Sequence, residues 1–210
     1  MAEAPSVTTF VMEKRLPWPA GSSEAGLNGP FDTGLIYDEA KPRECGIRAI
    51  SALGATLCGD VRKAPGEDIA FELATGQRPA ATIEWVSSGE AGIRFKQPID
   101  MLALINRKLV SLPTERRAMP RVEIRCNLYV KWCENLEPAV LRNISARGVQ
   151  LEGDTLPPPG TFVGLFVEGL NIPPGEVVWC KDGLAGVELF EELSWTSIIP
   201  WIREIGRKSD

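Results

Sequence analysis

The chain repeats itself. A shift of 94 positions lays residues 48–95 on residues 142–189 without a gap. Ile50, Ser51, Ala52 and Gly54 fall on Ile144, Ser145, Ala146 and Gly148, and Leu57, Gly59 and Asp60 fall on Leu151, Gly153 and Asp154. Pro65-Gly66, Trp85 and Ala91-Gly92 fall on Pro159-Gly160, Trp179 and Ala185-Gly186. Solenoid units recur every 20–50 residues or so, so a period of 94 is a whole domain and the chain is two copies of one fold. Its 210 residues give each copy enough length for a core of its own. The copies are unequal. Glu115-Arg116-Arg117-Ala118-Met119-Pro120-Arg121 precedes the second, whereas the shifted positions 21–27 of the first hold no arginine. A duplicated scaffold with unequal chemistry implies one working site.

Histidine is absent. That removes the commonest general base and metal ligand, and with them every His-dependent triad. The five cysteines (45, 58, 126, 133, 180) form no CxxC pair, so a zinc site is not expected. Several lie in strand-like apolar stretches, which suits buried free thiols in a reducing compartment. The spacing of the acids suggests no carboxylate chemistry, so no catalytic residue, metal or cofactor is assigned and the chain is expected not to be an enzyme. No apolar run reaches the length of a membrane span and the start (Met-Ala-Glu-Ala-Pro) has no signal-peptide pattern. The expectation is a cytoplasmic protein without membrane insertion. The net charge of −5 argues against a nucleic-acid polymer as partner. Locally the sign reverses: Arg116, Arg117, Arg121 and Arg125 crowd together with only Glu123 as an acid after position 115, and Arg142 and Arg147 follow. Concentrated arginine in an acidic protein describes a small-anion pocket.

Residues 1–27, rich in proline, glycine and serine, read as loosely ordered. Strand candidates in the first copy, over 28–110, are 47–50, 55–57, 69–73, 81–86 and 92–95. Asp100 then stands as N-cap of a helix carrying Met101, Leu102, Leu104, Ile105 and Leu109. Residues 111–121 form the linker. In the second copy, 122–210, strict alternation from Val122 to Trp132 marks a strand with one wet face. Further strands are expected near 138–144, 148–152, 161–168, 175–180 and 184–189, and a helix over 194–207 interrupted at Pro200. Six short, evenly spaced strands predict a small closed antiparallel barrel. The fold class is therefore all-β with short helices: two tandem six-stranded barrels, each followed by a helix. Trp85 and Trp179 read as core pieces rather than stacking platforms, and Trp195 and Trp201 as helix residues packed on the barrel.

Arg117 and Arg121 have RxxxR spacing, and 22 residues after Arg121 comes Asn143-Ile144-Ser145-Ala146-Arg147-Gly148, an [D/N]xSxxG pattern. Together they resemble the two signature motifs of the PilZ domain, the bacterial receptor module for cyclic di-GMP. The resemblance extends through Gly160, Val177-Val178-Trp179 and Gly186-Val187-Glu188-Leu189, covering about 115–190. It implies that Arg117, Arg121, Asn143, Ser145 and Gly148 bind the dinucleotide. Arg116 and Arg147 are further candidates by position. The chemistry fits. A guanidinium fork suits phosphate oxygens or the O6/N7 edge of guanine, and an asparagine oxygen can accept from guanine N1–H and N2–H₂. Ser145 can reach a phosphate or cap a turn, and Gly148 permits a close approach. Asn, Ser and Gly are also ordinary turn residues, and the first copy keeps Ser51 and Gly54.

The first copy departs from the pattern: Ala49 stands at the asparagine position, and Ser23 and Leu27 at the arginine positions. It is expected not to bind the dinucleotide. The resulting expectation is a tandem PilZ protein with a degenerate N-terminal copy, a cyclic di-GMP receptor or adaptor. Ligand binding on the linker would change the inter-domain arrangement and signal to an effector protein. The alternative is a ligand-independent interaction module built from two barrels.

Overall fold

Short β-branched and aromatic runs separated by glycine and proline close into a ring in each copy. The computed structural model describes residues 8–18, 31–37, 42–111 and 121–208, and the chain divides into two units, 1–120 and 121–210.

The first unit carries β1 (Thr9–Val11), β2 (Asp32–Tyr37), β3 (Pro42–Ser51), β4 (Gly54–Cys58), β5 (Asp68–Leu73), β6 (Ala80–Ser87), β7 (Glu90–Phe95) and α1 (Met101–Ser111). β2 pairs with β3, β3 with β4, β4 with β7, β7 with β6, β6 with β5, and β5 returns to β2, all antiparallel. That is a closed six-stranded barrel, which leaves no free edge within the ring. Its interior is filled by Ile50, Leu57, Phe71, Leu73, Ile83 and Ile93. Asp100 caps α1 as expected, its Oδ1 accepting from the Ala103 N–H at 3.0 Å. Met101, Leu104 and Ile105 are buried.

The second unit repeats the plan with β8 (Arg121–Trp132), β9 (Asn135–Ile144), β10 (Gly148–Glu152), β11 (Phe162–Val167), β12 (Leu170–Asn171), β13 (Gly175–Lys181), β14 (Leu184–Leu189) and α2 (Trp195–Lys208). The ring runs β8–β9–β10–β14–β13–β11 and back to β8, again antiparallel throughout. The alternation in β8 is realised, with Val122, Ile124, Leu128 and Val130 buried. The repeat is kept to single residues. The bulge between Ile47 and Ala49 recurs between Leu141 and Asn143, and the one between Ile83 and Trp85 recurs between Val177 and Trp179. A bulge inserts an odd residue and re-aims the side chains after it.

Three expectations need correction. Residues 9–11 are not loose: β1 pairs parallel with β3, Thr9 opposite Ala49 and Val11 opposite Ser51, and Phe10 and Val11 are buried. The polar stretch around this short apolar run masked it. β2 adds a strand to those expected, its pattern diluted by Asp32-Thr-Gly. Gly34 is needed there, since a Cβ would come within 2.4 Å of the Phe71 ring. The C-terminal helix is not interrupted. α2 continues through Pro200, and both Pro200 and Thr196, whose carbonyl loses its i+4 donor there, are exposed residues. Ile198, Trp201 and Ile202 are buried, and the Trp201 indole N–H donates to the Glu168 carbonyl at 2.9 Å.

All five cysteines are free thiols. Burial pushes the Cys45 thiol up to about 12 and the Cys126 thiol up to about 11, so neither is a nucleophile near neutrality. Among the described residues no three His, Cys, Asp or Glu side chains converge as a metal site, and no helix is long and apolar enough to cross a membrane.

Candidate functional site

The register of the second barrel gathers the asparagine motif into one outward row. Glu123 of β8 lies opposite Asn143 of β9, Asn143 opposite Gln150 of β10, Gln150 opposite Gly186 of β14, and Gly186 opposite Trp179 of β13. Residues directly opposite on one face stand roughly 5 Å apart, so the row is a continuous shelf. The bulge at Trp179 turns its indole onto Gly186, where a Cβ would sit 2.1 Å from the indole nitrogen. Trp179 therefore lies flat against the outer wall and is 41% exposed. Reading it as a core piece is incorrect, because strand alternation counted without the bulge assigns it to the wrong face.

Asn143 donates its amide NH₂ to Gln150 Oε1, and its amide oxygen has no donor among the described residues. The Ser145 N–H and hydroxyl both donate to the Gly148 carbonyl, at 2.9 and 3.1 Å, and tie the turn between β9 and β10. Gly148 packs directly on β14: a Cβ there would meet the Val187 carbonyl oxygen at 2.7 Å. Gly54 meets the Ile93 carbonyl oxygen in the same way at 2.4 Å, and the Ser51 hydroxyl donates to Gly54 O at 3.5 Å. The serine and glycine thus build the same turn in both copies. Gly148→Ala is expected to lower stability by about 1–3 kcal/mol, since backbone rather than a yielding side chain stands in the way. Denaturant unfolding of the whole chain measures it.

The arginines divide into tied and untied. Arg125 and Arg142 both bind Glu152, and Arg142 chiefly holds that carboxyl below the usual carboxylate range. Arg147 pairs with Glu192 at 2.9 Å, an exposed contact worth little by itself. Arg121 opens β8, exposed and without an ion pair among the described residues, beside the Asn143–Ile144 end of β9. Arg116 and Arg117 lie outside the described residues.

The matching shelf of the first barrel is roofed. Its row is Ala49, Thr56, Gly92 and Trp85, and Ala49 and Thr56 are 5% and 4% exposed. β1 occupies, in parallel, the lane beside β3 that the start of β8 takes beside β9. Beyond it Trp18 meets Trp85 edge to face, ring centroids 6.1 Å apart. A Cβ on Gly54 would come within 3.1 Å of Leu16 and 3.2 Å of Trp18. So the first copy lacks the asparagine and the arginines, and its own N-terminal segment also covers the wall that the second copy leaves open. No sequence pattern announced this cover.

No family model and no curated protein matches the chain. Among solved structures it is similar to Borreliella burgdorferi PlzA in complex with c-di-GMP, at 10% identity over 82% of this chain and 86% of that one, with a TM-score of 0.34. It is also similar to the Bacillus subtilis inhibitor of motility MotI/DgrA (13% identity, 84% and 97% covered, TM-score 0.32). A third is the K. pneumonia MrkH–c-di-GMP complex (12% identity, 83% and 84% covered, TM-score 0.28).

Proposed function

We propose that the second barrel is a cyclic di-GMP receptor of the PilZ type, and that the chain is a tandem PilZ protein whose first copy is degenerate. The observation that carries this reading is the open shelf. The Asn143 amide oxygen, unclaimed by the described residues, sits in one row with the exposed Trp179 indole, next to the strand that Arg121 opens. At the equivalent place the first copy has a buried alanine, in a row whose tryptophan, Trp85, is met by Trp18. A guanine needs an acceptor for N1–H and N2–H₂, which Asn143 supplies, and a flat apolar surface, which Trp179 supplies. Arg117 and Arg121 provide forked cations for the phosphates or the guanine O6/N7 edge. Ser145 and Gly148 shape the turn that presents Asn143. Arg116 is a further cation, and Arg147 is one that must first leave Glu192.

Binding is the whole of the chemistry in this reading; no reaction is assigned. The arginine segment is also the connector between the units. A ligand held by it restricts their arrangement, and so signals to a protein partner in a cytoplasmic setting.

Titration calorimetry on the whole chain tests the reading. The expected result is micromolar or tighter affinity for cyclic di-GMP, about −8 kcal/mol or better, with GTP and linear dinucleotides much weaker. Asn143→Ala, which installs the first copy's residue, is expected to weaken binding tenfold or so by leaving the guanine edge unpaired. Absence of heat at ligand concentrations well above micromolar overturns the proposal.

A further inference from the structure

The duplication shows a second difference between the barrels, on a wall the dinucleotide reading does not use. In the first barrel the outward faces of β5 and β6 carry charges that are paired with neighbours on this wall. Asp68 binds Lys96, Glu72 binds Tyr37 and Arg78, and Glu84 binds Arg94. Adding 94 to Asp68, Glu72, Glu84 and Lys96 gives Phe162, Phe166, Val178 and Phe190. Every one of those charges has become a large apolar side chain, and Phe162, Phe166 and Phe190 are each more than half exposed. The Asp68–Lys96 ion pair is replaced by an edge-to-face ring pair, Phe162 on Phe190 at 5.4 Å. Phe166 lies back over Gly164 and faces Tyr129 across the strands, also more than half exposed. Leu136, exposed too, extends the strip on β9.

Exposed aromatics in a contiguous strip are not how a soluble wall is ordinarily finished. At about 200 Å² per ring, half exposed, four rings offer some 400 Å². That is about half of one partner's share of a standard interface. The rim states the sign of the partner. Glu176 stands directly opposite Phe162, and Glu188 directly opposite Glu176. Glu191 follows Phe190 and is exposed. None of these three acids has an ion-pair partner among the described residues, and one cation, Lys131, faces Gly164. A second copy of the chain meeting this face about a two-fold axis would set glutamates against glutamates, and the same acids repel nucleic acid and anionic lipid.

We infer that the β8–β11–β13 wall of the second barrel is a docking surface for a protein segment that inserts apolar side chains among Phe162, Phe166, Phe190 and Tyr129 and carries Lys or Arg opposite Glu176 and Glu188. This deepens the partner half of the function proposed above but stands on separate residues.

The test is a random-peptide display selection on the whole chain without cyclic di-GMP, so its outcome is independent of the dinucleotide titration. The counter-selecting variant is Phe162→Asp with Phe190→Lys, a pair whose counterpart the first barrel already folds with. The expected outcome is a set of sequences with bulky apolar residues and net positive charge. Synthetic versions should bind the native chain at least tenfold more tightly than the double variant. Glu176→Lys with Glu188→Lys should weaken them by a similar factor. The inference is overturned by acidic or uncharged selected sequences, by sequences that bind the double variant equally well, or by an empty selection. It is also overturned by a self-association in sedimentation that the double variant abolishes, which would make a second copy the occupant.

Discussion

Phe10→Ala is expected to destabilise the first unit by about 3–5 kcal/mol, the range for deleting a fully buried aromatic side chain. Phe10 is 0% exposed and sits in a strand of only three residues, Thr9–Val11, alongside Ile50 and Ser51. So short a strand has little besides burial to hold it against the conformational entropy of release. Loss of the ring should therefore free β1 as well as leave a cavity. Hydrogen exchange provides the measurement: the amides of β3 that face β1 should lose protection, while those of β9 and β10 should keep theirs. Cyclic di-GMP affinity should change by less than a factor of two or so. An equal loss of protection in both units would show that Phe10 supports the whole chain.

Arg121→Ala and Arg117→Ala are each expected to weaken cyclic di-GMP binding by about 2–3 kcal/mol, or roughly 30- to 150-fold, because a charge-assisted forked contact leaves a phosphate or base edge unpaired when it is lost. Folding should be unaffected, since Arg121 is exposed at the first position of β8. Arg125→Ala should matter far less. Arg125 is bound to Glu152, and Arg142 remains on that carboxylate when it goes. Calorimetric titration of the three variants at one salt concentration separates them. An Arg125→Ala loss equal to that of Arg121→Ala would move the clamp down the strand.

Most of the architecture was legible because period-two patterning and glycine–proline punctuation are local signals. The alternation from Val122 to Trp132 and the Asp100 cap belong to that class, and the 94-residue repeat carried one copy's assignment to the other. The errors share a cause: each depended on what a distant strand does. β1 exists because Phe10 finds Ile50, forty residues away. Trp179 faces outward because of a bulge against Gly186. For Ser145 and Gly148 the sequence allowed both a ligand contact and a turn role, and the close approach of Val187 that fixes the glycine was not legible there. Asn143 was legible as chemistry, but its company of Gln150, Gly186 and Trp179 was not, since a row across four strands leaves no mark at any one sequence spacing.

The roof over the first barrel limits what a single substitution there can do. Placing asparagine at position 49 would not open a site, because that position is 5% exposed, with β1 filling the lane beside it and Leu16 and Trp18 covering Gly54 and Trp85 on the same wall. The buried polar atoms of the amide would then cost stability with nothing gained. Removing the cover first would strip Phe10 and Trp18 from the apolar surfaces they protect. Each single change toward an open wall is therefore destabilising on its own. The two walls differ by a set of coupled changes, and no one substitution converts the first into the second.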